Sequence, residues 1–217
     1  MRDVSGTMVR DSLSELVAAE TTALLVVDVQ NDFCHDDGHF ARHGKDMVAV
    51  KAVLPGIRAF VAAARAHGVK VVFIRQATLP DGASDTPSWL RFKSRDGKTP
   101  DYTLPDTWGW QFVDGLEPRD DEFVVQKFRP DGFHRTGLDQ HLRDAGIESV
   151  IVLGVITEGC VESTIRSASY HDYYVVVAGD NVASPNAHLH DGAMNLFRAR
   201  YPTHDATEII AAWDDAT

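Results

Sequence analysis

Asp28, Lys127 and Cys160 are the residues whose types and positions could do chemistry together. A thiol attacks a carbonyl carbon as its thiolate, which needs a base for the proton and a cation to favour the charge. Cys160 lies in Ser149-Val-Ile-Val-Leu-Gly-Val-Ile-Thr-Glu-Gly-Cys160-Val-Glu-Ser-Thr-Ile-Arg-Ser-Ala168, the stretch around which the chain is organised. The apolar run Val150 to Leu153 reads as a buried strand, and Val161, Ile165 and Ala168 fall at helical spacing. The strand therefore feeds directly into a helix. Cys160 falls at its entrance, where unpaired N–H groups and the helix dipole favour an anion and lower cysteine pKa values. A free cysteine is more commonly a buried small apolar residue. A strand-to-helix turn beside Gly159 is instead where an α/β protein presents a nucleophile.

Asp28 closes the run Thr22-Ala-Leu-Leu-Val-Val, and Lys127 closes Glu122-Phe-Val-Val-Gln. An aspartate there is either a turn former or a charge held in a site. Ligands of open parallel sheets bind beyond the carboxyl ends of strands, which favours the second reading. A strand-end lysine is usually a solvated residue. Three such ends on one edge of a sheet can nevertheless bring their side chains together, and the set Asp–Lys–Cys is that of a thiol hydrolase.

The elements that must position these residues alternate along the chain. Val53 to His67 carries Val53, Ile57, Phe60, Val61 and Ala64 on one face and stops at Gly68, an amphipathic helix. Val69–Ile74 is the next strand, followed by Arg75, and 122–127 the third. Leu138 to Ala145 is a short helix stopped by Gly146, and Asp172–Ala178 a further strand. Ser184-Pro185 opens another helix as N-cap and first residue, with Leu189, Ala193, Leu196 and Phe197 facing inward. Asp205 and Glu208 make a capping-box start to a last helix bearing Ile209, Ile210 and Trp213. Residues 76–121, with Pro80, Pro87, Pro100, Pro105 and Pro118, read as one long irregular stretch, a lid or binding wall. Alternating strands and helices imply a three-layer α/β/α, doubly wound, mostly parallel sheet of about six strands, Rossmann-like in architecture. Residues 1–20, with Leu13, Leu16 and Val17 at helical spacing, are expected to form an N-terminal helix or arm, and 21–217 a single domain.

Composition narrows the function. A length of 217 residues suits one substantial core, and a net charge of −11 without a basic cluster argues against nucleic acid. No apolar run approaches the ~20 residues of a membrane span, and the first twenty residues lack a signal-peptide core. Two cysteines make no disulfide framework, so a cytoplasmic setting is expected. Asp28-Val-Gln-Asn-Asp-Phe33 stands where a dinucleotide-binding domain would carry G-x-G-x-x-G, and no cofactor is expected.

Asp28-Val-Gln-Asn-Asp-Phe33, Lys127-Phe-Arg-Pro-Asp-Gly-Phe133 with Thr136-Gly-Leu-Asp139, and Gly154-Val-Ile-Thr-Glu-Gly-Cys160-Val together resemble the isochorismatase-like cysteine hydrolases. That family includes nicotinamidases, N-carbamoylsarcosine amidohydrolases and ureidoacrylate or biuret-type amidohydrolases, and the resemblance spans roughly residues 20–201. It implies that Cys160 attacks as thiolate, Asp28 carries the proton to the departing amine, and Lys127 holds Asp28 ionised. It further implies an oxyanion hole from the N–H groups of Ile156 and Cys160, a cis Val155–Ile156 peptide, and sheet order 3-2-1-4-5-6. That order puts Lys127's strand two places from Asp28's, about 10 Å away, a span most of which a lysine stem closes. Dimers or tetramers are common in the family, so a homo-oligomer is expected.

Departures from the family refine the reading. Nicotinamidases hold a metal through an Asp-x-His pair and further histidines after the second strand; here no histidine lies between His67 and His134. No catalytic metal is expected, and nicotinamide becomes an unsuitable substrate. Members that hydrolyse the vinyl ether of isochorismate lack the cysteine, so Cys160 points to C–N cleavage of a small amide, ureido or carbamoyl substrate. A catalytically silent binding module of the same fold is the other alternative. Glu158 is either a favourable acid in the first helical turn or a receptor for a substrate N–H. Arg75 and Arg129 are candidates for a substrate carboxylate, with Arg91 a third. Phe33, Trp108, Trp110 and Phe133 are expected as pocket walls, and Gln30 joins the substrate-binding set. Cys34 reads as structural, and the ten histidines as surface or cap residues.

Overall fold

A computed structural model describes residues 1–94 and 101–216, so Pro100 of the long stretch lies outside the described residues. Its centre is a six-stranded, wholly parallel sheet: β3 (Thr22–Val27), β4 (Lys70–Gln76), β5 (Phe123–Lys127), β6 (Ser149–Val155), β7 (Tyr174–Ala183) and β8 (Thr203–His204). The spatial order β5-β4-β3-β6-β7-β8 is the doubly wound 3-2-1-4-5-6 arrangement once the sheet's own strands are counted. β3 is buried along its whole length because it sits in the middle with a layer on each side. Its residues alternate between two cores. Leu24 and Val26 pack with Ile57 and Phe60 of α4 (Val48–Ala66), Leu16 of α1 (Leu13–Leu16) and Trp213 of α9 (Ala206–Asp214). Leu25 and Val27 pack with Leu138 of α6 (Leu138–Asp144), Ile165 of α7 (Glu162–Tyr170) and Phe197 of α8 (Ala187–Arg200).

Several local expectations change. The first residues form an antiparallel hairpin, β1 (Arg2–Val4) with β2 (Thr7–Val9), before α1; three-residue exposed strands carry no core-facing period to read. α4 begins at Val48 and runs through Pro55, although proline usually marks a helix start. The long stretch is not wholly irregular: it holds α5 (Pro87–Lys93), with Thr86 accepting from the Trp89 N–H as N-cap and Pro87 as first residue. Two short helices follow β3 directly, α2 (Asn31–Cys34) and α3 (His39–Arg42). α8 is capped by Asn186, not Ser184, and Leu189 is exposed while Met194 is buried in its stead. The inward stripe is rotated by about one residue relative to the expected one.

The carboxyl ends of β3 and β6 close on each other at Gly154. Its φ is +122°, and a Cβ there would stand 2.1 Å from the Val27 carbonyl oxygen. Only glycine permits that approach. It sets the β6 terminus, and with it Cys160, beside Asp28.

Candidate active site

Asp28, Lys127 and Cys160 meet at this edge. Lys127 reaches across the end of β4, and its Nζ lies 2.8 Å from Asp28 Oδ2 and 3.1 Å from Gln76 Oε1. Gln76 stands directly opposite Lys127 in the β4–β5 register, so one strand supplies the bridge between the other two. Asp28 and Lys127 are fully buried. Asp28 has a φ of +51°, a left-handed conformation that non-glycine residues seldom adopt and that clusters at functional sites. Its N–H donates to the Ile74 carbonyl at 2.8 Å.

Cys160 sits on a π-helical turn, Thr157–Val161, that precedes α7; such turns recur at functional sites. The Val155–Ile156 peptide is cis. The Ile156 carbonyl accepts from the N–H groups of Gly159 and Val161, which flank Cys160. Burial and the Asp28 charge push the Cys160 thiol up to about 12, against the pull of Lys127. This differs from the expected lowering: at this helix entrance burial and the Asp28 charge outweigh Lys127. Burial likewise raises the Asp28 carboxyl, while Lys127 opposes it. The thiol is near enough to Asp28 for each to shift the other's ionisation, yet Asp28 Oδ1 has no partner in hydrogen-bonding geometry.

The candidate binding residues differ in where the structure puts them. Gln30 is engaged by the scaffold: its amide donates to the carbonyls of Gln76 and Trp110 (3.0 and 2.8 Å) and accepts from the Gln76 N–H. Arg129 donates to the carbonyls of Ser84 and Phe128 and holds the start of α5. Phe33 packs against Phe40 and Tyr102, while Arg91 is exposed. Phe133 is not brought to the triad: its ring stacks on His171 at 5.0 Å and lies 5.9 Å from Tyr173, toward the opposite end of the sheet. Nearness to Lys127 in sequence is undone because the chain turns back on itself between them. Glu158 turns toward α8, accepts from the Ser184 hydroxyl at 2.9 Å, and lines a groove with Glu162, His188 and Asp191. Trp108 is exposed at the rim against His35. Arg75 lies flat on Trp110, its guanidinium carbon 3.4 Å from the ring centre. Burial lowers the Arg75 pKa, and neither Arg75 Nε nor Trp110 Nε1 has an acceptor.

Sequence reasoning missed Tyr102. Burial raises its phenol pKa, and the charges of Cys160, Asp85 and Asp28 push in the same direction, so it lies within electrostatic reach of the triad. Lys93 of α5 lies 5.2 Å from the Tyr102 ring and pairs with Asp85 at 2.8 Å, both side chains almost wholly buried. Asp32 binds this layer to α3 by accepting from the His39 N–H and from the Thr103 N–H at 2.6 Å. A Cβ at Gly109 would collide with its carboxylate at 2.3 Å. The Thr86-Pro87 pair was the legible signal for Lys93's helix; Tyr102 had none.

A family model described as the isochorismatase domain matches residues 22–208. The chain is 35% identical over 188 residues to ureidoacrylate amidohydrolase RutB of Methylorubrum extorquens, covering 81% of this chain and 75% of that one. Against RutB of Yersinia enterocolitica it is 33% identical over 185 residues, 80% of each chain. Among solved structures, an isochorismatase family protein from Desulfovibrio vulgaris superposes with a TM-score of 0.75 at 28% identity, covering 91% and 98% of the two chains. A cysteine hydrolase from Pseudomonas syringae shares the fold, with a TM-score of 0.78 at 24% identity over 99% of this chain and 100% of that one. Sequence and architecture agree across almost the whole length, and the chain belongs to the isochorismatase family of hydrolases.

Proposed function

We propose that this hydrolase cleaves the C–N bond of a small ureido acid by covalent catalysis at Cys160. The supporting observation is the buried Lys127–Asp28 pair, 2.8 Å apart, held beside the Cys160 sulfur. Two isolated buried charges of this kind cost several kcal/mol each unless they are paired. A pair retained at a sheet edge next to a thiol suits proton transfer better than packing.

In this reading Asp28 takes the thiol proton as sulfur bonds to the ureido carbonyl carbon. The carbonyl oxygen takes the negative charge and is met by the N–H groups of Ile156 and Cys160. Asp28 returns the proton to nitrogen as the C–N bond breaks, the amine departs, and a thiocarbamate remains on Cys160. Water then gives its proton to Asp28 and its oxygen to the carbonyl carbon; the C–S bond breaks and the sulfur recovers the proton. No metal ion enters the scheme. Lys127 opposes the rise that burial imposes on the Asp28 carboxyl, and its charge offsets that of the forming thiolate.

The ureido class comes from the names of the amidohydrolase relatives. Arg75 supports an acid: its buried Nε and the neighbouring Trp110 Nε1 are two donors without an acceptor, and a carboxylate would satisfy both. The test is ammonia release from ureidoacrylate, N-carbamoyl amino acids, biuret, maleamate and nicotinamide, with wild type beside Cys160→Ala and Arg75→Gln. Turnover of ureido acids should vanish in Cys160→Ala, and Arg75→Gln should raise KM for the acids but not for uncharged amides. Full turnover by Cys160→Ala would overturn the mechanism; an unchanged KM in Arg75→Gln would overturn the acid assignment.

A further inference from the structure

The described residues hold a second cluster of ligating side chains outside the triad. His39 and His43, one turn apart on and just after α3, stack with ring centres 4.0 Å apart, and Asp101 comes to them from the middle of the long stretch. One ligating atom from each lies within 4.8 Å of the others. We propose that His39, His43 and Asp101 bind a divalent first-row cation of the zinc type, a structural ion that fixes the long stretch over the Cys160 site.

Four features carry this. First, the donor set is right: two imidazoles and a carboxylate suit zinc, with water as a fourth ligand. Second, His43 Nδ1 is 2.8 Å from the His39 carbonyl, which fixes the proton on Nδ1 and leaves the Nε2 lone pair for a metal. Third, His39 Nδ1 is buried without a hydrogen-bond partner even though Asp101 Oδ1 is 3.0 Å away. The carboxylate oxygen therefore lies to one side of the ring nitrogen's bonding direction. That is where a co-ligand stands, because two ligands about 2.0 Å from a tetrahedral ion sit about 3.3 Å apart with the ion off the line between them. Fourth, a further carboxylate stands behind the site: Asp32 Oδ1 accepts from the His39 N–H, its charge partly offset by Arg42 at 3.6 Å.

The consequence for the site runs through adjacent residues. Tyr102 packs on the His39 ring at 5.1 Å, and Thr103 donates to Asp32. An ion tying Asp101 to α3 would hold Tyr102 within electrostatic reach of Cys160. The inference does not rest on the proposed reaction, because its readouts are metal content and spectra.

Untagged full-length protein, stripped with chelator and dialysed, would be titrated with Zn2+ and with Co2+. One equivalent should bind per chain, Co2+ should give the strong visible bands of a four-coordinate site, and zinc should raise the melting temperature. His43→Ala and Asp101→Asn, both at solvent-accessible positions, should weaken binding at least about 10-fold, as loss even of a supporting group does. The exposed His134→Ala should bind as wild type. Binding unchanged in His43→Ala and Asp101→Asn, or weak octahedral Co2+ spectra in the wild type, would overturn the assignment.

Discussion

The two ends of the sheet hold buried charge in opposite ways. At the amino end, Arg65 donates to both oxygens of Glu122 at 2.7 Å and to the Glu117 carbonyl, and Glu122 also accepts from the Arg119 N–H. Arg10 meets Ser149, Thr21, Glu148 and the Glu15 carbonyl, so the first residues of β3 and β6 are pinned by a satisfied fork. At the carboxyl end, Asp28 Oδ1, Arg75 Nε, Trp110 Nε1 and Glu158 Oε2 are buried without partners. Among the described residues, Thr22 Oγ1 is the exception at the amino end. A buried polar group without a partner costs about 1–3 kcal/mol. Such a cost is tolerable where a ligand supplies the missing partner, and on the proposed reaction that ligand is the substrate.

The sharpest way to break this contrast is at the thiol. Cys160→Ala should lower kcat/KM about 10⁴-fold or more while the melting temperature hardly moves. Next comes the ion pair. Lys127→Met leaves a buried carboxylate uncompensated and should cost about 3–5 kcal/mol in urea unfolding. The double variant Asp28→Asn/Lys127→Met should recover most of that stability and stay inactive, since it removes both buried charges while asparagine tolerates the left-handed backbone at residue 28. A double variant as unstable as Lys127→Met would mean that the pair is structural after all.

Arg65→Ala should cost less, about 2 kcal/mol, because Glu122 keeps its bond from the Arg119 N–H. It should leave kcat/KM unchanged.

The smallest effects are those of pH, and they run in opposite senses. Burial opposes ionisation of Glu122, but the Arg65 and Arg119 hydrogen bonds overcome it and lower its pKa. Its contribution to stability is therefore present above the unfolded pKa and lost as pH falls through the folded one, and Arg65→Ala should blunt that acid loss. Asp28 is raised, so it favours the fold in its protonated form, and that contribution fades as pH rises through its folded pKa. The base must be ionised, so kcat/KM should fall about tenfold per pH unit below that raised pKa. An acid limb in the ordinary carboxylate range would contradict the burial argument.

What was legible in the sequence follows from periodicity. Val150–Leu153 followed by Val161, Ile165 and Ala168 announces a strand and a helix, and Asp28 and Lys127 end apolar runs, so the sheet edge and its three side chains could be placed together. The pocket could not be placed, because its walls come from residues whose neighbours are set by how a loop returns. Phe133, six residues past Lys127, went to the wrong end, and Tyr102, far from any motif, came to the triad. His39, His43 and Asp101 escaped for the same reason: the first two sit on and just after a one-turn helix too short to show a period, and the third arrives 58 positions later. Gln30 looked chemical because it stands in a motif beside Asp28. Its amide instead joins β3, β4 and Trp110.

The account turns on a covalent bond between Cys160 and the substrate's carbonyl carbon. Wild-type protein turning over a ureido acid should be quenched in acid and its Cys160 peptide weighed, with Cys160→Ala treated alongside. A carbamoyl group on Cys160 that appears during turnover, decays as substrate is exhausted and is absent in the variant is the expected result. Hydrolysis by Cys160→Ala at the wild-type rate would contradict the account.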